Sequence, residues 1–259
     1  MLLTQQSVLK AFLQEAGLEA KKGFSQNFLV EDSVVKSMLQ VADVQPTDVV
    51  LEIGPGPGAV TQQLLQKGAE VVAVEKDPRF AALLPRLPGK LKVMTQDVLD
   101  FDLSLLHSFK VVASLPYHLT SEILQRILPH PGLQSLTVLV QKEAALRFLA
   151  DQGTKAYNVF SLFLRYYGHI QYVKTVHRQC FYPKPRVDSA IVHFVPHAHP
   201  SVEASKFQKV ISLAFSKRRK MLRQIFDETI LVQAGLDPTL RPEKLCFEEF
   251  VRLTAAWNA

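Results

Sequence analysis

The apolar positions of this 259-residue chain change their period along its length. Val8, Phe12, Leu13 and Ala16 fall at helical spacing, and Val34, Val35, Met38 and Leu39 repeat it, which predicts helices over roughly 7–16 and 32–41. From Val49 the pattern becomes short apolar runs of strand length, at 49–53, 71–74, 91–94, 111–115 and 136–140. Helical stretches over 60–65, 80–87 and 121–128 separate them. Short, continuously apolar strands between helices predict a parallel sheet covered on both faces. Further elements are expected over 160–167, 173–176 and 190–195, the last as an antiparallel edge strand. Pro196, His197, His199 and Pro200 then break the pattern. Helical spacing returns at Phe207, Val210, Ile211 and Ala214, and again at Leu222, Ile225 and Phe226. A last helix is expected after Pro242, which suits a first turn, with Leu245, Phe250, Val251 and Leu253 on its apolar side. The expected organisation is an α/β domain over 1–195 and a small all-helical domain over 196–259.

Composition narrows the class. Hydrophobic residues at 47% and charged residues at 21% exclude a mainly disordered or fibrous chain. The longest apolar runs are too short for a transmembrane helix, and the start, Met-Leu-Leu-Thr-Gln-Gln-Ser, lacks the basic and apolar regions of a signal peptide. Cys180 and Cys246 form neither a zinc set nor a disulfide framework, and they suit a reducing cytoplasm. The eight histidines show no ligand spacing with acids or cysteines, so no metal is expected. The formal charge of +6 permits a polyanionic partner without demanding one. Its distribution says more: between Glu203 and Asp227 there is no acid, but Lys206, Lys209, Lys217, Arg218, Arg219, Lys220 and Arg223 are all there. Such a run is usually a solvated helix face, and its sharper reading is a phosphate-binding patch.

The strongest local motif is Glu52-Ile53-Gly54-Pro55-Gly56-Pro57-Gly58, between a predicted strand and a predicted helix. Glycines there allow a sharp turn and close approach of a ligand to the backbone. Glu75 ends the next strand, placed to accept hydrogen bonds from both hydroxyls of a ribose. A dinucleotide is disfavoured, because Ala59 stands where the G-x-G-x-x-G fingerprint has its third glycine. Pro55 and Pro57 also remove N–H groups that a pyrophosphate would use. A ligand with adenosine and no phosphate fits better, and S-adenosyl-L-methionine is one, with Glu52 near its cationic amino-acid end. Asp97 follows the third strand and could accept the exocyclic amine of its adenine, although alone it would read as a turn residue.

The strand at 111–115 runs into Ser114-Leu115-Pro116-Tyr117, and with it the chain resembles the ribosomal RNA adenine dimethyltransferases. Lys21 to Leu29 resembles that family's N-terminal cofactor-contacting segment, which marks Asn27 and Leu29 as cofactor contacts. The stretch Phe181-Tyr182-Pro183-Lys184-Pro185-Arg186-Val187-Asp188-Ser189 resembles its F-x-P-x-P-x-V-x-S segment, and Phe215 to Arg223 its C-terminal basic segment. The resemblance implies a Rossmann-like S-adenosylmethionine-dependent methyltransferase sheet with a small C-terminal helical domain. It implies dimethylation at N6 of two adjacent adenosines near the 3′ end of small-subunit ribosomal RNA, in an assembling 30S-type particle. A monomer with no membrane partner is expected.

An adenine N6 is a poor nucleophile because its lone pair is delocalised into the ring. Acceptors at Ser114 and the Leu115 carbonyl can aim it, Pro116 stiffens the turn, and Tyr117 and Phe181 offer stacking faces for a flipped base, each worth roughly 1–3 kcal/mol. Ser114 and Gly54 to Gly56 also border the expected cofactor. The family usually has Asn where this chain has Ser114, and Gly where it has Ser25. If Lys217, Arg218, Arg219, Lys220 and Arg223 contact about five phosphates of single-stranded RNA, log affinity should fall with log salt at a slope of roughly −3.5. Three other readings stay open: an RNA-binding assembly factor with weak catalysis, a large-subunit adenine methyltransferase and, least favoured, an NAD-dependent oxidoreductase.

Overall fold

The computed structural model describes residues 3–18 and 27–257. The stretch 21–26, with Ser25, belongs to the expected cofactor-contacting segment and lies outside the described residues. In chain order the elements are α1 (Gln6–Glu15), β1 (Phe28–Leu29), α2 (Asp32–Val41), β2 (Val49–Ile53), α3 (Ala59–Gln66), β3 (Glu70–Glu75) and α4 (Pro78–Ala81). They continue with β4 (Leu91–Thr95), β5 (Phe109–Ser114), α5 (Thr120–Ile127), β6 (Leu133–Gln141), α6 (Lys142–Phe148), α7 (Val159–Tyr167) and β7 (Gly168–Val176). The last are β8 (Phe181–Tyr182), β9 (Ser189–Pro196), α8 (Ala204–Ser216), α9 (Glu228–Gln233) and α10 (Phe247–Ala256).

Seven strands form one sheet in the order β4-β3-β2-β5-β6-β9-β7. The pairs β2/β3, β3/β4, β2/β5 and β5/β6 are parallel, and β6/β9 is antiparallel. The chain builds outward from β2 to β4 and then returns to place β5 on the other side of β2. Such a reversal opens a crevice at the carboxyl ends of the two strands, where α/β sheets hold ligands. The central strands are apolar because helices cover both faces: Val50, Val71, Val111, Val112, Val138 and Ile191 are fully buried. Val34, Val35, Met38 and Leu39 of α2 join Val60 and Leu64 of α3 in that core. The N-terminus of α2 is held by the Glu31 side chain, which accepts from the Ser33 backbone N–H.

Several expectations need correction. The strand at 190–195 is antiparallel but not at the edge, because the nine-residue β7 lies outside it. The half-exposed side chains of β7 mark the true edge, whereas Ala190, Ile191 and Val192 of β9 are fully buried. The helix expected over 80–87 divides into α4 and a 3-10 turn at Leu84–Arg86, with Pro85 inside the turn. Residues 222–226 open with a 3-10 turn at Leu222–Gln224, and the helix follows at α9, capped by Asp227 accepting from the Thr229 N–H. Pro242 starts a 3-10 turn rather than the last helix, which begins at Phe247.

The chain divides into two compact units. One runs to Ala145 and resumes at Gln171–Pro196; the other is Leu146–Ile170 with His197 onward. The expected partition into 1–195 and 196–259 differs from this at Pro196 and in residues 146–170, which carry α7. In the second unit, an Asn158–Ser161 capping box starts α7. Tyr157 is fully buried there, with its hydroxyl donating to the Leu245 carbonyl at 3.0 Å and its ring edge-on to Phe215. Among the described residues, no helix is long and apolar enough to cross a membrane, and no group of three or more His, Cys, Asp or Glu could hold a metal ion.

Tyr157→Phe keeps the ring contacts and strands the Leu245 carbonyl. It should lower unfolding free energy by roughly 1–2 kcal/mol in a denaturant titration, and an unchanged midpoint would show that the bond contributes nothing.

Candidate functional site

A cavity of about 270 Å³ opens at the carboxyl ends of β2, β3 and β5, where the strand order reverses. Asn27, Leu29, Glu52, Gly54, Gly56, Glu75, Asp97, Ser114, Leu115, Pro116 and Tyr117 all line it. Residues separated by up to 90 positions in sequence therefore share one wall system. Each strand delivers its last residues to the same edge.

The loop after β2 sets the floor. Gly54, Gly56 and Gly58 have φ of +63°, +54° and +95°, a backbone that side-chain-bearing residues rarely adopt. A Cβ at Gly56 would lie 2.9 Å from the Phe28 ring, and one at Gly58 would lie 2.9 Å from Leu87. At Gly54 nothing stands within 4 Å, and the residue is exposed, so the turn presents bare backbone to the cavity. Phe28 is a lining residue that the motif reading passed over, although it stands between Asn27 and Leu29. Its ring packs edge-on against Phe80 at 5.2 Å. His118, next after Tyr117, is a second.

Three carboxyl groups face different environments. Glu75 is 7% exposed; Oε2 accepts from the Gly56 N–H at 2.9 Å and Oε1 from the Asp77 N–H at 2.8 Å. Burial raises its pKa, and those two N–H groups oppose the rise. Glu52 is 2% exposed, and burial pushes it up to about 8 from an ordinary 4.5, with neighbouring Thr61 offsetting part of the effect. Its Oε2 is buried without a hydrogen-bond partner, as is Thr61 Oγ1. A buried oxygen of this kind is costly unless something else satisfies it. Asp97 is held below its ordinary pKa, first by Lys76 at 2.8 Å from Oδ2 and then by the Leu99 N–H at 2.9 Å from Oδ1. It is therefore an ionised acceptor at the cavity wall.

These features fit a group carrying both cationic and hydroxyl functions. The orphaned Glu52 oxygen suits a donor or cation, the fixed Glu75 carboxyl retains lone pairs for further donors, and the open Gly54 backbone leaves room for close approach.

The opposite wall comes from the end of β5. Leu115 N–H donates to the Leu139 carbonyl at 3.0 Å, extending the β5/β6 ladder past Ser114. The Thr120 hydroxyl reaches the carbonyls of Pro116 and Tyr117, both at 3.2 Å, and ties the turn to the start of α5. Tyr117 shares a 2.7 Å hydrogen bond with the Ser189 hydroxyl. The two stretches that carried the resemblance, at 114–117 and 181–189, thus meet side chain to side chain.

Two of the expected site residues are engaged elsewhere. Phe181 is 4% exposed and packs in the core among Val176, Ile191 and Leu29; it pairs with Leu29 across β1/β8. It is not among the residues that line the cavity. Among the basic residues, Lys217, Arg219, Lys220 and Arg223 are exposed. Arg218 is half-buried and committed: Nε donates to Glu243 Oε2 at 2.8 Å, and its terminal nitrogens donate to the Lys155 and Thr154 carbonyls at 3.0 and 3.1 Å. A side chain so engaged is an internal clamp of its unit rather than a phosphate ligand.

Comparison with known proteins agrees with this architecture. The chain is 43% identical to a protein of Protochlamydia amoebophila named ribosomal RNA small subunit methyltransferase A, over 95% of this chain and 94% of the other. It is 37% identical to proteins of the same name from Chlamydia muridarum, over 95% of both chains, and from Mesorhizobium japonicum, over 95% and 96%. Among solved structures, a dimethyladenosine transferase from Plasmodium falciparum superposes with a TM-score of 0.76 at 22% identity, covering 87% of this chain and 95% of that one, which bears on the fold. The 23S rRNA methyltransferase ErmE superposes with a TM-score of 0.70 at 26% identity, covering 89% and 99%. Residues 17–240 match the family described as ribosomal RNA adenine dimethylase, and the chain belongs to that family.

Proposed function

We propose that the protein is an S-adenosylmethionine-dependent enzyme that dimethylates N6 of two adjacent adenosines near the 3′ end of small-subunit ribosomal RNA. The observation that carries the reading is one cavity walled by Glu52, Glu75 and Asp97 on one side and by Ser114 to Tyr117 on the other. The small-subunit choice is supported by relatives of that name at 36–43% identity over 95% of the chain, against 26% for the large-subunit enzyme ErmE. The reading includes a cytoplasmic monomer that works on an assembling 30S-type particle.

S-adenosylmethionine, when bound, supplies a methyl group already activated on a sulfonium. The protein's part is to hold and orient. Glu75, with one oxygen on the Gly56 N–H and the other on the Asp77 N–H, is fixed to accept from ribose hydroxyls. Asp97 accepts from an adenine amine, and Asn27 and Leu29 close the same wall. Glu52 keeps its proton in the free protein at neutral pH and releases it to serve as carboxylate beside a cationic amino-acid group. On the target side, the Ser114 hydroxyl and the Leu115 carbonyl accept from the N6 amine and aim its lone pair, while Tyr117 stacks on the extruded base. Most of the rate enhancement is then positioning. Lys217, Arg219, Lys220 and Arg223 supply the phosphate contacts of the second unit; Arg218 is left out.

Transfer of labelled methyl groups to unmethylated small subunits, followed by nucleoside mapping, tests the function. Dimethyladenosine near the 3′ end is the expected product; transfer to large-subunit RNA alone would overturn the small-subunit assignment. Ser114→Ala should lower turnover roughly tenfold, as expected for one lost hydrogen bond of about 1.4 kcal/mol at the reacting nitrogen, with cofactor affinity nearly unchanged. Unaltered turnover would remove Ser114 from the mechanism.

Salt dependence tests the basic face. With four phosphate contacts, log affinity for single-stranded RNA should fall with log salt at a slope of roughly −3, and Lys220→Gln with Arg223→Gln should bring it to roughly −1.5. A slope near zero in the parent protein would remove the phosphate role.

Stability against pH tests Glu52. The folded chain holds its proton up to about pH 8, whereas the unfolded chain releases it near 4.5. The stabilisation is fully present below pH 4.5 and is lost as pH rises to 8, on the order of 5 kcal/mol in all. Denaturant titrations should show Glu52→Gln losing less stability than the parent over that interval. Parallel curves would contradict a raised Glu52.

A further inference from the structure

Ser189 does not line the cavity, has been given no role above, and is fully buried. Among the described residues its hydroxyl has one partner, the Tyr117 hydroxyl at 2.7 Å, across 72 positions of sequence. We propose that Ser189 is a positioning residue that sets the orientation of the Tyr117 ring against the target base. The proposal rests on the methyltransferase reading of the cavity.

Backbone contacts already hold the turn that carries Tyr117. Leu115 N–H is bonded to Leu139, Leu119 N–H to the Pro116 carbonyl at 3.1 Å, and the Thr120 hydroxyl to two carbonyls of the turn. They fix where the Tyr117 Cα lies. They leave the two side-chain torsions free, and those torsions decide whether the ring face is square to a base or tilted from it. The only hydrogen bond of the Tyr117 side chain among the described residues is the one to Ser189.

Ser189 is itself held firmly. It opens β9 and pairs with Gln141 at the end of β6, the strand whose Leu139 pairs with Ser114. The neighbouring Asp188 carbonyl accepts from the Lys142 N–H at 3.0 Å, and the Asp188 carboxylate accepts from the Arg178 N–H at 2.9 Å. The sheet thus transmits one register from β5 through β6 to β9 and brings the Ser189 hydroxyl to the far end of the Tyr117 ring. A partly exposed tyrosine beside a cleft needs no second hydroxyl for solvation, since water can serve. A fully buried serine, in contrast, needs a partner, and here that partner is a residue of the substrate wall. Burial also raises the Tyr117 pKa, so the phenol stays neutral and can either donate or accept in the pair.

The test uses the full-length protein with unmethylated small subunits, comparing Ser189→Ala, Tyr117→Phe, the double variant, Ser189→Thr and Tyr117→Ala. Each is assayed for kcat, KM, cofactor Kd and thermal midpoint. Positioning predicts that Ser189→Ala and Tyr117→Phe each lose roughly tenfold in kcat, that the double variant loses no more than either, and that cofactor Kd stays within about twofold. Ser189→Thr keeps the hydroxyl and should restore kcat. A merely structural tie predicts otherwise: the double variant, which leaves no stranded hydroxyl, would recover both thermal midpoint and kcat. That recovery, or a Ser189→Ala variant with parental kcat, overturns the proposal while Tyr117→Ala remains impaired. If Tyr117→Ala also transfers methyl groups at the parental rate, or the parent transfers none, the stacking wall itself is wrong and the proposal falls with it. Should Ser189→Ala fail to fold, Tyr117→Phe with Ser189→Thr carries the same comparison.

Discussion

Two glutamates buried side by side at the ends of β2 and β3 constrain everything around them. A carboxyl group taken out of water is costly, and it shifts its pKa or finds donors. Glu75 finds them: the turn after β2 bends so that the Gly56 N–H meets one oxygen, and the turn after β3 brings the Asp77 N–H to the other. The left-handed φ at Gly54, Gly56 and Gly58 is what lets the first of these turns close so tightly. Glu52 finds no such set, keeps an unpartnered oxygen, and holds a proton to about pH 8. The fold therefore tolerates a local cost at the point where a cationic ligand could repay it.

The reversal of strand order at β2/β5 supplies the second wall. It puts Ser114 beside the two carboxyl-bearing strand ends, and the β5–β6–β9 ladder carries Ser189 to the same wall from the far side of the sheet. Both walls of the cavity are thus built from one sheet edge and the turns that leave it. A reaction whose donor is already activated asks little more than that of a protein.

Much of this was legible in the order of residues. Continuous apolar runs mark β2 to β6 because both sheet faces are covered, and the Gly54–Gly58 turn with Glu75 on the next strand end identifies the floor of the cavity. What escaped depends on tertiary position. Phe181 alone reads as a core residue, and only its proline-rich context gives it a stacking role; its pairing with Leu29 holds it in the core. Arg218 looks like one more base in a run, and only the approach of Glu243 and the carbonyls of 154 and 155 makes it a clamp. Residues 146–170 carry nothing in their pattern to say that they share a unit with the chain after 197. The contact between Tyr117 and Ser189 follows from β9 lying beside β6, which no local signal announces.

The central claim is that a buried, protonated Glu52 becomes the carboxylate that meets the cationic end of the cofactor. Calorimetric titration of S-adenosylmethionine at pH 7, in two buffers of different ionisation enthalpy, measures it directly. The account predicts release of about one proton per cofactor bound, and loss of that release in Glu52→Gln. Binding with the same heat in both buffers, or an undiminished proton release in Glu52→Gln, would contradict it.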